Sequence, residues 1–291
     1  MCKKLALFLL ILLLMVNTAL GETVTFHNKL TVEKDTESID YPYSTLWDLE
    51  EFIAFLKKLP NLKTVDMYDV TLKKKQMDQL AEALPEVSFG CTLKIANDHL
   101  VRTDATAFST LHWSNNTDPH SSNTLSVLKY CKNLQALDIG HNEVESLEFL
   151  RELPQLKVLI IACNSIVDIS PLAELTELEY LEMFSNRVVD LSPLAGLTNL
   201  VDLNIGYNTV GDWSPLYELK QLERLWIYNS CANFNRNKQV PQEVIEQLKL
   251  ELPDTYLDTE SMPTLGGWRE HPRYDIIHAI FETGEYRPFE E

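Results

Sequence analysis

Glycine is scarce in this chain, 9 residues of 291, and proline stands at 13. Those counts exclude collagen-like or Gly-rich linker character. Cysteine is also sparse, at 5, and no two form a CxxC pair, so no compact disulfide framework is expected. Basic residues are few: 25 Lys and Arg stand against 43 Asp and Glu, a formal net charge of −18. A surface of that sign repels phosphate backbones, which excludes nucleic acid as the expected partner. HExxH, GxSxG and Gly-rich phosphate-loop motifs are missing, so no catalytic residue, metal or cofactor is expected. What is present, 45% hydrophobic and 23% charged residues, is the composition of a folded chain.

The single long apolar run, Leu5 to Val16, is too short to span a bilayer as a helix. Lys3 and Lys4 precede it, and Ala19-Leu20-Gly21 follows with small residues at cleavage spacing. Residues 1–21 therefore read as a secretory signal peptide, and the remaining chain is expected to be exported, with no membrane insertion.

The centre of the chain repeats. Leu134, Leu137, Ile139 and Asn142 are followed at a 22-residue step by Leu156, Leu159, Ile161 and Asn164, then by Leu178, Leu181, Met183 and Asn186. Leu200, Leu203, Ile205 and Asn208 come next, then Leu222, Leu225, Ile227 and Ser230. Each LxxLxLxxN segment places two apolar residues on the inward face of a short strand, by period-two alternation. The Asn then sits where the chain turns, and its amide can satisfy backbone groups that would be buried unpaired. The return half carries a second apolar stripe, such as Ile166, Ile169, Leu172 and Leu175. Ser170-Pro171, Ser192-Pro193 and Ser214-Pro215 read as helix starts, with Ser as cap and Pro at the first helical position, opening short 3₁₀ turns.

This pattern is identified as a leucine-rich repeat. The recurring DxSPL, at Asp168, Asp190 and Asp212, resembles the internalin-type repeats of secreted bacterial surface proteins, closely over residues 134–229 and loosely elsewhere. The resemblance implies an α/β right-handed solenoid with a parallel concave sheet and 3₁₀ or short helices on the convex side. It also implies irregular β-armed N-terminal repeats and a helical C-terminal cap.

The expected organisation is a signal peptide (1–21), irregular β-armed repeats (22–133), regular repeats (134–230) and a C-terminal cap (231–291). An internal duplication is read at an offset of 63, matching Val24, Phe26, Leu30 and Val32 to Val87, Phe89, Leu93 and Ile95. A helix is expected over 46–59 with Thr45-x-x-Asp48 as capping box, another over 124–131, and cap helices over 241–252 and about 273–281, with a last strand near 254–257.

Several side chains invite chemistry and are read as structural. Cys131 occupies a position held by Leu in later repeats, a small core residue; a Cys91–Cys131 disulfide is the alternative. His271 with His278, and His112, Asp118 and His120 in one loop, are weak metal candidates that lack further ligands. Asn115 opens a glycosylation sequon, meaningful only in a host that glycosylates exported proteins.

In a leucine-rich repeat the third, fifth, seventh and eighth residues of each strand segment face the concave surface, which solenoids use for binding. Those positions gather aromatics toward the C-terminal side. The candidate ligand-binding residues are Ile160, Tyr180, Phe184, Tyr207, Arg224, Trp226 and Tyr228, with a gap at Gly206 wide enough for a flat or branched group. The expected function is a secreted, non-enzymatic binding protein, with another extracellular or cell-surface protein as partner. A glycan stacking on the same aromatics is the second expectation, and burial of the aromatics beneath the cap is the structural alternative.

Overall fold

The computed structural model describes residues 21–95, 99–111, 119–230 and 239–289. The expected signal peptide up to Leu20, the His112 and Asp118 metal candidates, the Asn115 sequon and Cys231 lie outside the described residues. Contacts divide the chain into two compact units, one ending at Lys94 and one beginning at Ile95.

In the first unit, β1 (Thr23–Phe26) and β2 (Leu30–Glu33) form an antiparallel hairpin, with Val24 opposite Val32. His27 and Asn28 turn it with φ of 49° and 54°, the left-handed pair that matches the twist of a hairpin. Then β3 (Ser38–Asp40), α1 (Leu49–Leu56), β4 (Thr64–Lys73), α2 (Lys74–Ala83) and β5 (Ser88–Ile95) follow, and β3, β4 and β5 pair in parallel with Ile39, Val65 and Phe89 in register. Helix α1 is shorter than expected. Asp48, not Thr45, caps it, accepting from the Glu51 N–H at 2.9 Å. The Thr45 carbonyl instead accepts from the Tyr41 hydroxyl at 3.0 Å. Phe52, Phe55 and Leu56 face inward from α1, and Phe26 meets Phe52 at 5.2 Å between ring centres.

In the second unit, β6 (His99–Arg102) precedes a seven-stranded parallel sheet. Its strands run in sequence order: β7 (Ala107–Ser109), β8 (Ala136–Asp138), β9 (Val158–Ile160), β10 (Tyr180–Glu182), β11 (Asp202–Asn204), β12 (Arg224–Trp226) and β13 (Tyr256–Asp258). Leu137, Leu159, Leu181, Leu203 and Leu225 stay in register across five strands. They and the return-path apolar residues are almost fully buried, and each such side chain contributes roughly 1.5–3 kcal/mol relative to exposure.

The turns are held by a ladder of amides. Asn186 donates to the Ile161 and Met183 carbonyls at 2.9 and 3.1 Å, and its Oδ1 accepts from the Ile166 N–H at 3.1 Å. Asn164 and Asn208 do the same in their repeats, Asn142 donates to the Ile139 carbonyl at 3.1 Å and the Thr110 hydroxyl at 2.8 Å, and the Ser230 hydroxyl donates to the Ile205 and Tyr228 carbonyls at 2.6 and 3.3 Å. The residue before each, His141, Cys163, Ser185, Tyr207 and Asn229, is left-handed, with φ between 51° and 55°.

The return paths are 3₁₀ turns at Ser170–Glu174, Ser192–Leu194 and Ser214–Glu218. Their caps differ from expectation: the serines do not cap. Asp168, Asp190 and Asp212 accept from the N–H groups of Ser170, Ser192 and Ser214 at 2.8–2.9 Å. The DxSPL motif is thus an Asx turn leading into Pro.

The first repeat is introduced by α3 (Ser122–Leu125), running into a 3₁₀ turn at Ser126–Tyr130 in place of one continuous helix. Beyond the sheet lie α4 (Gln242–Glu251) and α5 (Pro272–Thr283), close to the expected positions, as is β13. The stretches read as duplicated form different elements: Val24, Phe26, Leu30 and Val32 lie in the antiparallel β1–β2 hairpin, and Phe89, Leu93 and Ile95 lie in the single strand β5. Cys91 and Cys131 are both buried, Cys131 as a core residue at the position that Leu holds in later repeats.

Candidate functional site

The concave face of the second unit is filled by the chain itself. Residues after β13 turn back through Gly266 and Gly267, whose φ of 68° and 93° suit glycine, and lay α5 against β7 and β8. Trp268 enters the inner curve and is fully buried. Its ring centre is 5.4 Å from Tyr180 and 5.1 Å from Trp226, and the Arg224 guanidinium lies 4.6 Å above it. Its Nε1 donates to Glu182 Oε1 at 2.7 Å, an oxygen that also accepts from the Tyr180 hydroxyl. Burial raises the Glu182 carboxyl above its usual range, against the pull of those two donors.

Beside this cluster, Arg224 grips Asp202 with two hydrogen bonds of 2.7 Å, and Arg273 of α5 adds a third at 2.7 Å. Asn204 donates to the Pro263 carbonyl at 2.8 Å. The Tyr286 N–H reaches back to Thr106 Oγ1 at 3.0 Å.

The sequence-derived candidates are thereby placed. Tyr180, Phe184, Arg224 and Trp226 lie inside a core shared with Trp268, Ile277 and Ile280, so the expectation that they face solvent is corrected. The physical reason is that the cap offers them apolar surface and hydrogen-bond partners, removing both from water. The gap at Gly206 is also taken: a Cβ there would stand 2.7 Å from Pro263 Cγ. Tyr207 and Tyr228 stay half-buried, packed edge to face at 5.3 Å. Ile160 alone among the seven borders an open space.

That space is a cleft of about 1590 Å³ between the first strands of the sheet and the cap. Ser109, Asp138, His141 and Ile160 line one wall, and Arg269, Tyr274, Phe281 and Tyr286 line the other, with Leu100 and Leu111 exposed at its edge. Asp138 has 5% of its surface exposed. Its carboxyl accepts from the Gly140 N–H at 3.0 Å and the Ser109 hydroxyl at 3.1 Å. Burial outweighs both donors and pushes it up to about 7. Burial and the nearby Arg269 charge lower His141.

Among the described residues no group of three or more His, Cys, Asp or Glu is arranged to hold a metal ion. His271 caps α5, accepting from the Arg273 N–H at 3.2 Å, and His278 lies 3.6 Å from Glu282. His120 is buried, with Nε2 2.9 Å from His99 Nδ1. No described helix is long and apolar enough to cross a membrane.

Sequence reasoning passed over Ser109, Arg269, Tyr274, Phe281 and Tyr286. A signal was present: Ala136, Val158, Ile160 and Ala162 put small and apolar residues where a solvent-facing inner curve carries polar ones.

Comparison with known proteins gives the repeats a family. Residues 132–174, 154–196 and 176–218 each match the family described as leucine-rich repeats (2 copies). No curated protein matches the sequence. Among solved structures the chain is similar to an internalin, inlF, from Listeria monocytogenes, at 21% identity over 74% of this chain and 61% of that one, with a TM-score of 0.44. It thus spans less than two thirds of that internalin's length. Internalin C2 of the same organism is similar at 21% identity over 78% and 85% of the two chains, with a TM-score of 0.38. The ectodomain of the receptor kinase SOBIR1 from Arabidopsis thaliana is similar at 17% identity over 48% and 75%, with a TM-score of 0.37.

Proposed function

We propose, on the premise that residues 132–218 are leucine-rich repeats, that this chain is an exported, non-enzymatic binding protein. Its recognition surface is the cleft between β7–β9 and the cap, and its partner is another protein outside the cell. The observation that carries this is the division of the concave face: the cap seals its C-terminal part and leaves a cleft of about 1590 Å³ at its N-terminal part. A cleft with apolar walls and a few placed polar groups is the usual form of a recognition site. Residues 1–21 support export through their basic start, apolar run and small-residue cleavage site. A glycan is a weaker partner, because Tyr180, Phe184 and Trp226, the rings offered for stacking, are buried.

The test is a binding screen of the purified protein against immobilised extracellular proteins and glycans, beside a His141→Asp/Phe281→Arg variant. Both residues border the cleft without being fully buried. A protein bound by the parent and lost by the variant supports the reading. A protein bound equally by both moves the site elsewhere, and turnover of a screened substrate overturns the non-enzymatic role.

A further inference from the structure

The cleft mixes apolar and polar walls around one deeply set carboxyl, and of its lining cations Arg102 is held by Asp104 through two hydrogen bonds of 2.8 and 2.9 Å. Phe108, Ile160, Tyr274 and Phe281 supply hydrocarbon and rings. Asp138 sits at the sheet wall, with two neutral donors, the Gly140 N–H and the Ser109 hydroxyl, on its carboxyl. A carboxylate has about four acceptor sites, so two remain for a visitor. Among the described residues no Lys, Arg or His nitrogen lies within ion-pair distance of Asp138. Arg269, whose charge acts on Asp138 from beyond that distance, sits 5.5 Å over the Tyr274 ring. Glu282 and Glu285 add negative charge at the rim, on a chain of net charge −18.

A partly apolar cleft with a buried carboxyl set in its wall suits one kind of side chain: a long hydrocarbon stem with a cationic head. We propose that the cleft receives a lysine or arginine side chain from an extended segment of the partner protein, with Asp138 as its counter-ion. This rests on the reading of the cleft as the recognition surface and specifies what it recognises.

The groups facing Asp138 decide the pH behaviour. Ser109 of β7 and Gly140 donate to it; Glu182 of β10 repels it; Arg269 and Tyr274 of the cap and His141 beyond β8 complete its surroundings. Burial holds Asp138 protonated up to about pH 7, and a bound cation draws the proton off. Affinity for a basic side chain is therefore lost on acidification, about tenfold between pH 8 and pH 6. Protonation of His141 acts in the same direction.

The experiment is selection of a random displayed peptide library on the purified protein at pH 8, followed by affinity measurement of the enriched peptides. The proposal expects enriched peptides to carry Lys or Arg. Replacing that residue by norleucine, or making Asp138→Asn, lowers affinity at least tenfold, and the two changes together cost little more than either. Arg269→Gln, by removing a neighbouring cation, tightens binding. Should Asp138→Asn fail to fold, the tenfold weakening between pH 8 and pH 6 is read on the parent protein. Peptides without basic residues, lost on Phe281→Ala but indifferent to Asp138→Asn and to pH, overturn this proposal and leave the cleft as recognition surface. Peptides indifferent to every cleft variant, or no enrichment at all, overturn both.

Discussion

The indole of Trp268 donates to the carboxylate of Glu182 at 2.7 Å across 86 positions of sequence, joining the cap to the middle strand of the sheet. Two contributions meet there, ring packing and a hydrogen bond to a buried acid, and substitution separates them. Trp268→Phe keeps most of the packing and leaves Glu182 short of a donor, at a cost of about 1–3 kcal/mol. Trp268→Ala removes both and costs about 3–5 kcal/mol. Urea unfolding measures each; equal losses for the two variants would remove the ring packing from the account.

Asp202 holds two guanidiniums, those of Arg224 and Arg273, and is itself fully buried. Asp202→Asn leaves the buried Arg224 with neutral partners and Arg273 with Glu223 alone, and should destabilise the protein by about 3–5 kcal/mol. The exposed pair Lys63 and Glu37 is the control: Lys63→Ala should leave the urea midpoint unchanged. A small effect at Asp202 would show that the arginines find water instead.

Stability should depend on pH through Asp138. Its folded value, about 7, lies above the 3.8 of an ordinary aspartate, so the folded state holds a proton that the unfolded state releases. The contribution is fully present below pH 3.8 and is lost as pH rises through 7, amounting to about 4 kcal/mol at 1.36 kcal/mol per unit. Glu182, also raised by burial, acts in the same direction. Asp138→Asn should therefore be more stable than the parent at pH 8, with the advantage vanishing near pH 4. Parallel stability curves for the two proteins over that range would contradict the assignment.

Ser185 has φ of 55° and is partly buried. Left-handed backbone costs a non-glycine residue roughly 1–2 kcal/mol, of which glycine's extra unfolded-state entropy returns about 0.5–1. Ser185→Gly is expected to stabilise by about 0.5–1 kcal/mol, while Ser185→Val, β-branched in the same conformation, destabilises. Thermal unfolding of the pair checks the sign of each.

The regular repeats were legible because their determinants are local and recur. Leu137, Ile139 and Asn142 need only neighbours one repeat away, so the pattern and the contacts share a period. Pro171, Pro193 and Pro215 marked the 3₁₀ turns for the same reason, although the capping oxygen belongs to the aspartates and not the serines. The position of the cap was not legible. Trp268 finds Tyr180 and Trp226 through tertiary packing with no sequence period, and the exposed-aromatic expectation failed at that step. The cleft followed from it: Ile160 and Asp138 stand on strands read correctly, while Tyr274 and Phe281 belong to a helix whose docking place no local signal gave.

The hydrogen bond from Tyr286 to Thr106 spans 180 positions and sets an order on assembly. Each coil of the sheet can add to the one before it as the chain emerges from the ribosome. The inner layer cannot, because its aromatic and ionic groups wait for Trp268 and Arg273. Until those residues arrive, Tyr180, Trp226 and the Asp202 carboxylate stand in water, and a nascent chain paused short of Trp268 presents a sticky aromatic trough. Truncation before Trp268 would therefore turn a self-filled curve into a surface that captures chaperones or other nascent chains.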